Sequence, residues 1–258
     1  MAKGSRGGRR AVATGGGSNS PFIMPQATPQ QAQQILQDLL NGDTVSFDSF
    51  MSLSDDEKAD AISTILKQDL PNFLDDSAMQ RLLYYTEVDG KPSIVSDKSL
   101  DSVAGPDLYR TISNTYDRKT DVNYTAKQIY NQIVKGDYTR VSSTGGSAYG
   151  KGIYFADSYR GSTVYGNSNS LVMRAKLNSN ARVVSYRNAV NGAGAEIRSG
   201  SKLGRVLNRM SGHDATSVWA LAKGYNVVQD NNSGYHVVLD RSALSVSDRT
   251  KSATGYSW

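Results

Sequence analysis

Apolar positions in the first third of the chain recur at helical spacing. Thr28-Pro29-Gln30-Gln31 places a capping threonine, a proline at the first helical position and a glutamine three residues on. Ile35, Leu36, Leu39 and Leu40 then form one stripe, stopped by Asn41-Gly42. Ser54-Asp55-Asp56-Glu57 is a second capping box, opening a helix that carries Ala61, Ile62, Ile65 and Leu66 and ends before Pro71. A third helix is predicted from Asp75 to Val88, with Met79, Leu82 and Leu83 inward and Gly90 closing it. Residues 91–105 lack periodicity and read as a polar connector.

The pattern changes beyond Pro106. Leu108 to Ile112 predicts a short strand, Tyr124 to Val134 a helix through Ile129, Tyr130 and Ile133, and Ile153 to Ala156 an apolar strand. Leu171 to Leu177 places Leu171, Met173, Ala175 and Leu177 on one face. Arg182–Tyr186, Tyr225–Gln229, Tyr235–Asp240 and Ala243–Val246 are strand-like, and Lys202–Met210 and Asp214–Lys223 helical. Trp219, Leu221 and Ala222 read as core. Asn191-Gly192-Ala193-Gly194-Ala195 looks superficially like a phosphate loop. It lacks the lysine-serine or lysine-threonine ending, so it is expected to be a mobile loop. Short strands separated by helices, without regular βαβ alternation, predict an α+β domain.

Composition narrows the chemistry. The 258 residues are 38% hydrophobic and include no cysteine and two histidines, His213 and His236. That removes disulfides, thiol catalysis and thiolate metal sites, and leaves little for a histidine-built metal centre. No metal is therefore expected. No apolar run approaches the roughly 20 residues of a membrane span, and no apolar segment follows the basic N-terminus as in a secretory signal. A cytoplasmic or particle-packaged protein without membrane contact is the expectation.

The formal net charge is +5. Lys3, Arg6, Arg9 and Arg10 precede the first acidic residue, Asp38, so the remaining chain is close to neutral. Residues 1–27 are glycine-rich and offer little to bury, which predicts a disordered tail. Four charges give only weak, salt-sensitive attraction to nucleic acid. A leader or tether is the main reading of the tail, and nucleic-acid contact through residues 1–10 a lesser one.

The chemistry-bearing stretch is Tyr149-Gly150-Lys151-Gly152-Ile153-Tyr154-Phe155-Ala156-Asp157, followed by Ser162 and Tyr165. It is a glycine-flanked strand with a second tyrosine eleven residues after Tyr154. Glycines let backbone approach a ligand, two tyrosines on adjacent elements can clamp a flat ring, and Ser162 can hydrogen-bond a substituent on it. The alternative is an ordinary strand-turn-helix whose tyrosines are core or surface aromatics.

This stretch resembles the Gly-x-Gly-Ile-Tyr-Phe-Ala segment of the poly(ADP-ribose) polymerase branch of the ADP-ribosyltransferase superfamily. The serine eight residues and the tyrosine eleven residues after the motif tyrosine correspond to Ser162 and Tyr165. The resemblance implies a split antiparallel β-sandwich domain over residues 106–250, which the helical region and connector read from the residue pattern, 28–105, precede and a tail, 251–258, follows. It implies NAD as substrate, with Gly152 in the loop, Tyr154 and Tyr165 on either side of the nicotinamide and Ser162 on its carboxamide. Leu108-Tyr109-Arg110 is similar to the arginine version of the superfamily's first strand, which implies that Arg110 contacts an NAD phosphate, where a guanidinium fork suits the oxygens.

One departure concerns the catalytic acid. The superfamily places a glutamate at the start of a late strand, where it stabilises positive charge on the ribose as nicotinamide leaves. The matching stretch, Asn231-Asn232-Ser233-Gly234-Tyr235-His236-Val237-Val238-Leu239, contains none. Asp230 and Glu196 are the stand-in candidates beside Tyr154, each with plain solvation as its alternative. Two further functions stay open: a catalytically degenerate member serving as a virus- or phage-particle component or effector, and a nucleic-acid-binding protein working through its arm. The acceptor of ADP-ribose, protein or otherwise, is not indicated.

Overall fold

The computed structural model describes residues 25–41, 43, 45, 47–67, 91–117, 122–135, 152–164, 166–210 and 212–254. The third helix expected over Asp75–Val88, most of the basic tail, Tyr149 to Lys151, Tyr165 and residues 255–258 lie outside them.

Both capping boxes form. The Thr28 amide donates to Gln31 Oε1 at 2.9 Å and the Gln31 amide to Thr28 Oγ1 at 3.3 Å, opening α1 (Pro29–Asn41). Ser54 and Glu57 exchange the same pair at 2.8 and 3.3 Å ahead of α3 (Asp55–Lys67), and α2 (Phe47–Ser52) joins the two. These helices share an apolar core with α8 (Lys202–Leu207) and α9 (Gly212–Ala222), built from Leu39, Phe50, Leu53, Ile62, Leu203, Leu207 and Val218. The helical region is thus seated on the C-terminal half of the chain.

The sequence's polar connector is folded. It contains an edge strand, β1 (Ser93–Val95), parallel to the last strand, and a short helix, α4 (Asp97–Asp101). Two buried cations hold it down. Arg174 donates to Asp101 Oδ1 at 2.6 Å and Asp107 Oδ1 at 2.9 Å, and Lys176 to the Val103 carbonyl at 2.9 Å. These partners lie about seventy residues away, so no local pattern announces them.

The remaining elements are β2 (Leu108–Ile112), a separate ribbon of β3 (Thr115–Asp117) and β4 (Val122–Tyr124), α5 (Ala126–Lys135), β5 (Ile153–Ala156), α6 (Tyr159–Thr163), β6 (Leu171–Leu177), β7 (Val183–Ser185), α7 (Tyr186–Ser199), β8 (Val227–Asp230), β9 (Tyr235–Val238) and β10 (Leu244–Ser252). Among the described residues the main sheet has eight strands in the order β1-β10-β6-β2-β5-β9-β8-β7. The protein is α+β. The sheet is mixed rather than wholly antiparallel: both outermost pairs, β1 with β10 and β7 with β8, are parallel.

Its middle is thin. β2 pairs with β6 from Leu108↔Ala175 to Ile112↔Leu171, and β5 with β9 from Ile153↔Val238 to Ala156↔Tyr235. Between these two well-laddered halves, β2 and β5 share the single pair Tyr109↔Ala156.

The segment Asn191–Ala195 is not a loop. It lies inside α7, which Ser185 caps by accepting from the Asn188 amide and Gly200, at φ +68°, closes. Gly192 is there for packing: a Cβ at that position would stand 2.1 Å from Trp219 Cζ2. Trp219 in turn touches both the helical core and the sheet core, which agrees with its reading as a core residue. Among the described residues no helix is long and apolar enough to cross a membrane.

Candidate functional site

The sheet's thin middle collects the motif residues. Arg110, on β2, donates through Nη1 to the Tyr154 carbonyl on β5 at 3.0 Å, so a side chain bridges the two halves where the ladder stops. Tyr154 is half-buried and packs against the sheet core. Gly152 precedes it with φ +152°, and a Cβ there would meet Val237 Cγ1 at 2.6 Å and the Val238 carbonyl at 2.8 Å. This glycine lets β5 enter close against β9.

α6 follows β5 after a two-residue turn and lies back over β2 and β5. Ser158 caps it by accepting from the Gly161 amide at 3.2 Å. Ser162 is buried, at 5% exposure. Its hydroxyl donates to the Tyr159 carbonyl at 2.9 Å and accepts from Thr111 Oγ1 at 3.3 Å. Tyr159 meets Tyr109 edge to face at 6.0 Å and donates to the Ser252 carbonyl at 3.1 Å. Burial, reinforced by Asp107, raises the Tyr109 phenol above its ordinary range and keeps it neutral. Arg110 thus bonds the strand that Gly152 leads into and Tyr154 belongs to, while Ser162 bonds Thr111, on the other face of β2 from Arg110. Tyr165, the other half of the expected ring clamp, lies outside the described residues, between Val164 and Gly166.

The two stand-in acids are engaged elsewhere. Glu196 lies on α7, not in a glycine-rich loop. Its carboxylate accepts from Ser201 Oγ at 2.5 Å and pairs with Lys223 at 3.2 Å, at the junction of α7, α8 and α3. Asp230 ends β8 opposite Tyr235. Its oxygens accept from the Asn232 and Ser233 amides, each at 3.2 Å, and from Ser233 Oγ at 2.5 Å. It organises the β8–β9 turn.

Three neighbours were assigned no site role from the sequence, although Asp157 and His236 lie in the stretches it singled out. Thr111 follows Arg110 and alternates to the other face of β2. Asp157 leaves β5 exposed. Its amide donates to the Gly234 carbonyl at 2.9 Å, and its carboxylate fills the space a Cβ on Gly234 (φ +71°) would need. His236, opposite Phe155, is 3% exposed. Burial lowers its pKa, with Asp157 pulling the other way. Among the described residues no group of three or more histidines or acids stands close enough to hold a metal ion.

No protein-family model, no curated protein and no solved structure matches the chain.

Proposed function

We propose that the chain is an ADP-ribosyltransferase-like protein that takes NAD as substrate at the middle of its sheet. One observation carries this reading: the Arg110–Tyr154 hydrogen bond joins the first-strand arginine to the tyrosine of the Gly-x-Gly-Ile-Tyr-Phe-Ala segment, residues 44 apart, where the two halves of the sheet separate. A sheet nearly divided there also suits the split architecture the resemblance implies. Tyr154 and Tyr165 would flank the nicotinamide ring, Ser162 would meet its carboxamide through the lone pair its two hydrogen bonds leave, and Arg110 would face a phosphate. In the reaction the bond between the ribose C1′ and the nicotinamide nitrogen breaks and its electron pair leaves with nicotinamide. The ribose is then taken by a protein side chain, another acceptor or water.

The test is nicotinamide release from NAD by the full chain, together with transfer of labelled ADP-ribose in a cell lysate. Wild type is expected to be active, and Tyr154→Ala and Arg110→Ala each to lose at least about tenfold, the scale of one good polar or ring contact (~1.4 kcal/mol) in the transition state. Activity that survives both substitutions overturns the reading.

A second reading has its own support. Position 235 is a tyrosine, and the oxygens of Asp230 are committed to its own turn. An Asp230 committed to its turn does not supply the ribose cation with the partner that the superfamily's glutamate gives it, which favours a degenerate member that binds the dinucleotide and serves in a particle or an interaction. NAD binding without nicotinamide release, lost in Tyr154→Ala, selects this reading over the enzyme. Loss of residual release in Asp230→Asn selects the enzyme.

A further inference from the structure

Between Asp157 and Asp214 the chain carries nine lysines and arginines and one acid, Glu196. The near-neutral body is therefore unevenly charged. Part of this excess is neutralised from elsewhere: Arg174 and Lys176 lie buried beside Asp107, and Lys202 pairs with Asp60. Four arginines on and just after α7 and α8 are not. Arg187, Arg198, Arg205 and Arg209 are all exposed, and among the described residues none of them forms an ion pair. The side chain of Glu196 is 16% exposed and is engaged by Ser201 and Lys223.

The four arginines run along one stretch of surface. Arg187, Asn191, Gly194 and Arg198 follow at i, i+4, i+7 and i+11, a single face of α7, so ~16 Å along the helix axis separates its two arginines. At Gly194 a Cβ would stand 3.3 Å from Arg198 Nη1, so the guanidinium lies back along that face. α8 abuts the end of α7, where a Cβ on Gly204 would stand 2.1 Å from the Glu196 carbonyl oxygen. The next residue, Arg205, donates through Nη1 to the Gly200 carbonyl at 2.7 Å, beside the last turn of α7 that carries Arg198. Arg209 follows Arg205 by one helical turn, its amide on the Val206 carbonyl at 3.1 Å.

A row of forked cations suits a repeating anion. Guanidinium forks match phosphate oxygens, and a nucleic-acid backbone supplies them at regular spacing. Asn188, Asn191 and Asn208, exposed among the arginines, add amide donors of the kind that bond phosphate and sugar. A protein partner would call for an apolar interface core. Val190, at 41%, is the single exposed large apolar side chain among the described residues of α7 and α8. A single strand would call for aromatic faces on which its bases stack. The one aromatic of these helices, Tyr186, packs on the sheet core and bonds His213 at 3.2 Å.

We propose that the α7–α8 face binds the phosphate backbone of a nucleic-acid duplex. It uses none of the residues assigned to NAD and stands whichever way that reading falls.

The test is fluorescence anisotropy of the full chain on a short DNA duplex of mixed sequence, titrated from ~50 to ~200 mM salt. Two double variants remove the same net charge. Arg198→Gln with Arg205→Gln takes it from the face. Lys91→Gln with Lys98→Gln takes it from exposed positions around β1, at the opposite edge of the sheet from β7, which leads into α7. The arginine variant is expected to bind the duplex at least about fivefold more weakly at low salt. It should also flatten the plot of log affinity against log salt by ~1.8, about 0.9 for each lost phosphate contact. The lysine variant should stay within about twofold of wild type. Arg187→Gln with Arg209→Gln repeats the arginine result without touching the Arg205–Gly200 bond, so fraying of α7 cannot explain it. No duplex binding by wild type overturns the proposal, as does wild-type binding in both arginine variants, which would leave the attraction to the basic tail. An equal loss in the lysine variant, or tighter binding to a single strand or to poly-glutamate than to the duplex, overturns it too.

Discussion

The helical junction and the middle of the sheet both bury apolar residues and differ in what is added to that burial. At the junction, α1 to α3 bury Leu39, Phe50, Leu53 and Ile62 against Leu203, Leu207 and Val218, all at 2% exposure or less. Backbones touch there as well: a Cβ on Gly204 would stand 2.1 Å from the Glu196 carbonyl. Charges close the rim, with Lys223 between Asp55 and Glu196, and Lys202 on Asp60. Between β2 and β5 the ladder shrinks to one pair beside an arginine bond, and a threonine-serine bond and a tyrosine pair hold α6 to β2. Apolar burial is non-directional and large, whereas each polar tether is worth about 1 kcal/mol and fixes one geometry. Leu108, Ile153 and Phe155 are at 1% exposure or less, so the second region has apolar cohesion as well, and its polar tethers add placement.

If that contrast holds, the largest loss of stability comes from the junction and leaves the site's chemistry alone. Phe50→Ala, at a residue 2% exposed, is expected to cost about 3–5 kcal/mol. In urea unfolding the midpoint should fall accordingly, while the NAD binding proposed above, measured on the folded fraction, should stay unchanged. A change in affinity as large as the change in stability would mean the two regions act as one.

A smaller effect sharpens the boundary between them. Glu196→Gln removes a pair whose side chains are 26% and 16% exposed, keeps the side chain's bond to Ser201, and leaves Lys223 its bond to Asp55. Less than about 1 kcal/mol of stability should be lost, with nicotinamide release at the wild-type rate. Burial works against the charge of Lys223, yet Asp55 and Glu196 outweigh it and raise its pKa. This contribution is therefore present through neutral pH and is lost only as alkali titrates the lysine. A large loss of release in Glu196→Gln would return that acid to the catalytic list.

The smallest expected effect is a pH dependence at the sheet. His236 is buried, and its pKa lies below the ordinary 6.5. A lowered histidine pKa means the unfolded chain binds the proton more readily. The stability it contributes is full above the ordinary value and is lost as pH falls from there through the folded-state value. Denaturation midpoints at pH 8 and pH 6 should differ in wild type and differ less in His236→Gln. An equal slope in both would show that the imidazole is not desolvated.

Local signals proved readable where a residue's partner lies within a few positions. Thr28 with Gln31 and Ser54 with Glu57 form the boxes their spacing announces, and Leu171 to Leu177 is a strand. The reading failed where the reason is a distant contact. Asn191 to Ala195 carries two glycines and looks like a loop, yet it is helical because Ser185 caps it and Trp219 needs the space at Gly192. Residues 91–105 look like a connector, yet they are pinned by Arg174 and Lys176 from a strand seventy positions on. Within the site, the motif spacing named Arg110, Gly152, Tyr154 and Ser162. It did not name Thr111 and gave Asp157 no role, since what each does depends on what faces it.

By itself the sequence determined the α+β class, the position of most strands and helices, and the stretch where glycine and tyrosine spacing concentrate. Those depend on periodicity and on chemistry within a few residues. The tertiary structure alone decided that β2 and β5 meet at a single pair, that Arg110 spans that gap, and that Glu196 and Asp230 already have partners. Such facts arise from strand register and from side chains that meet across large separations in the chain, and no local pattern of residues encodes them.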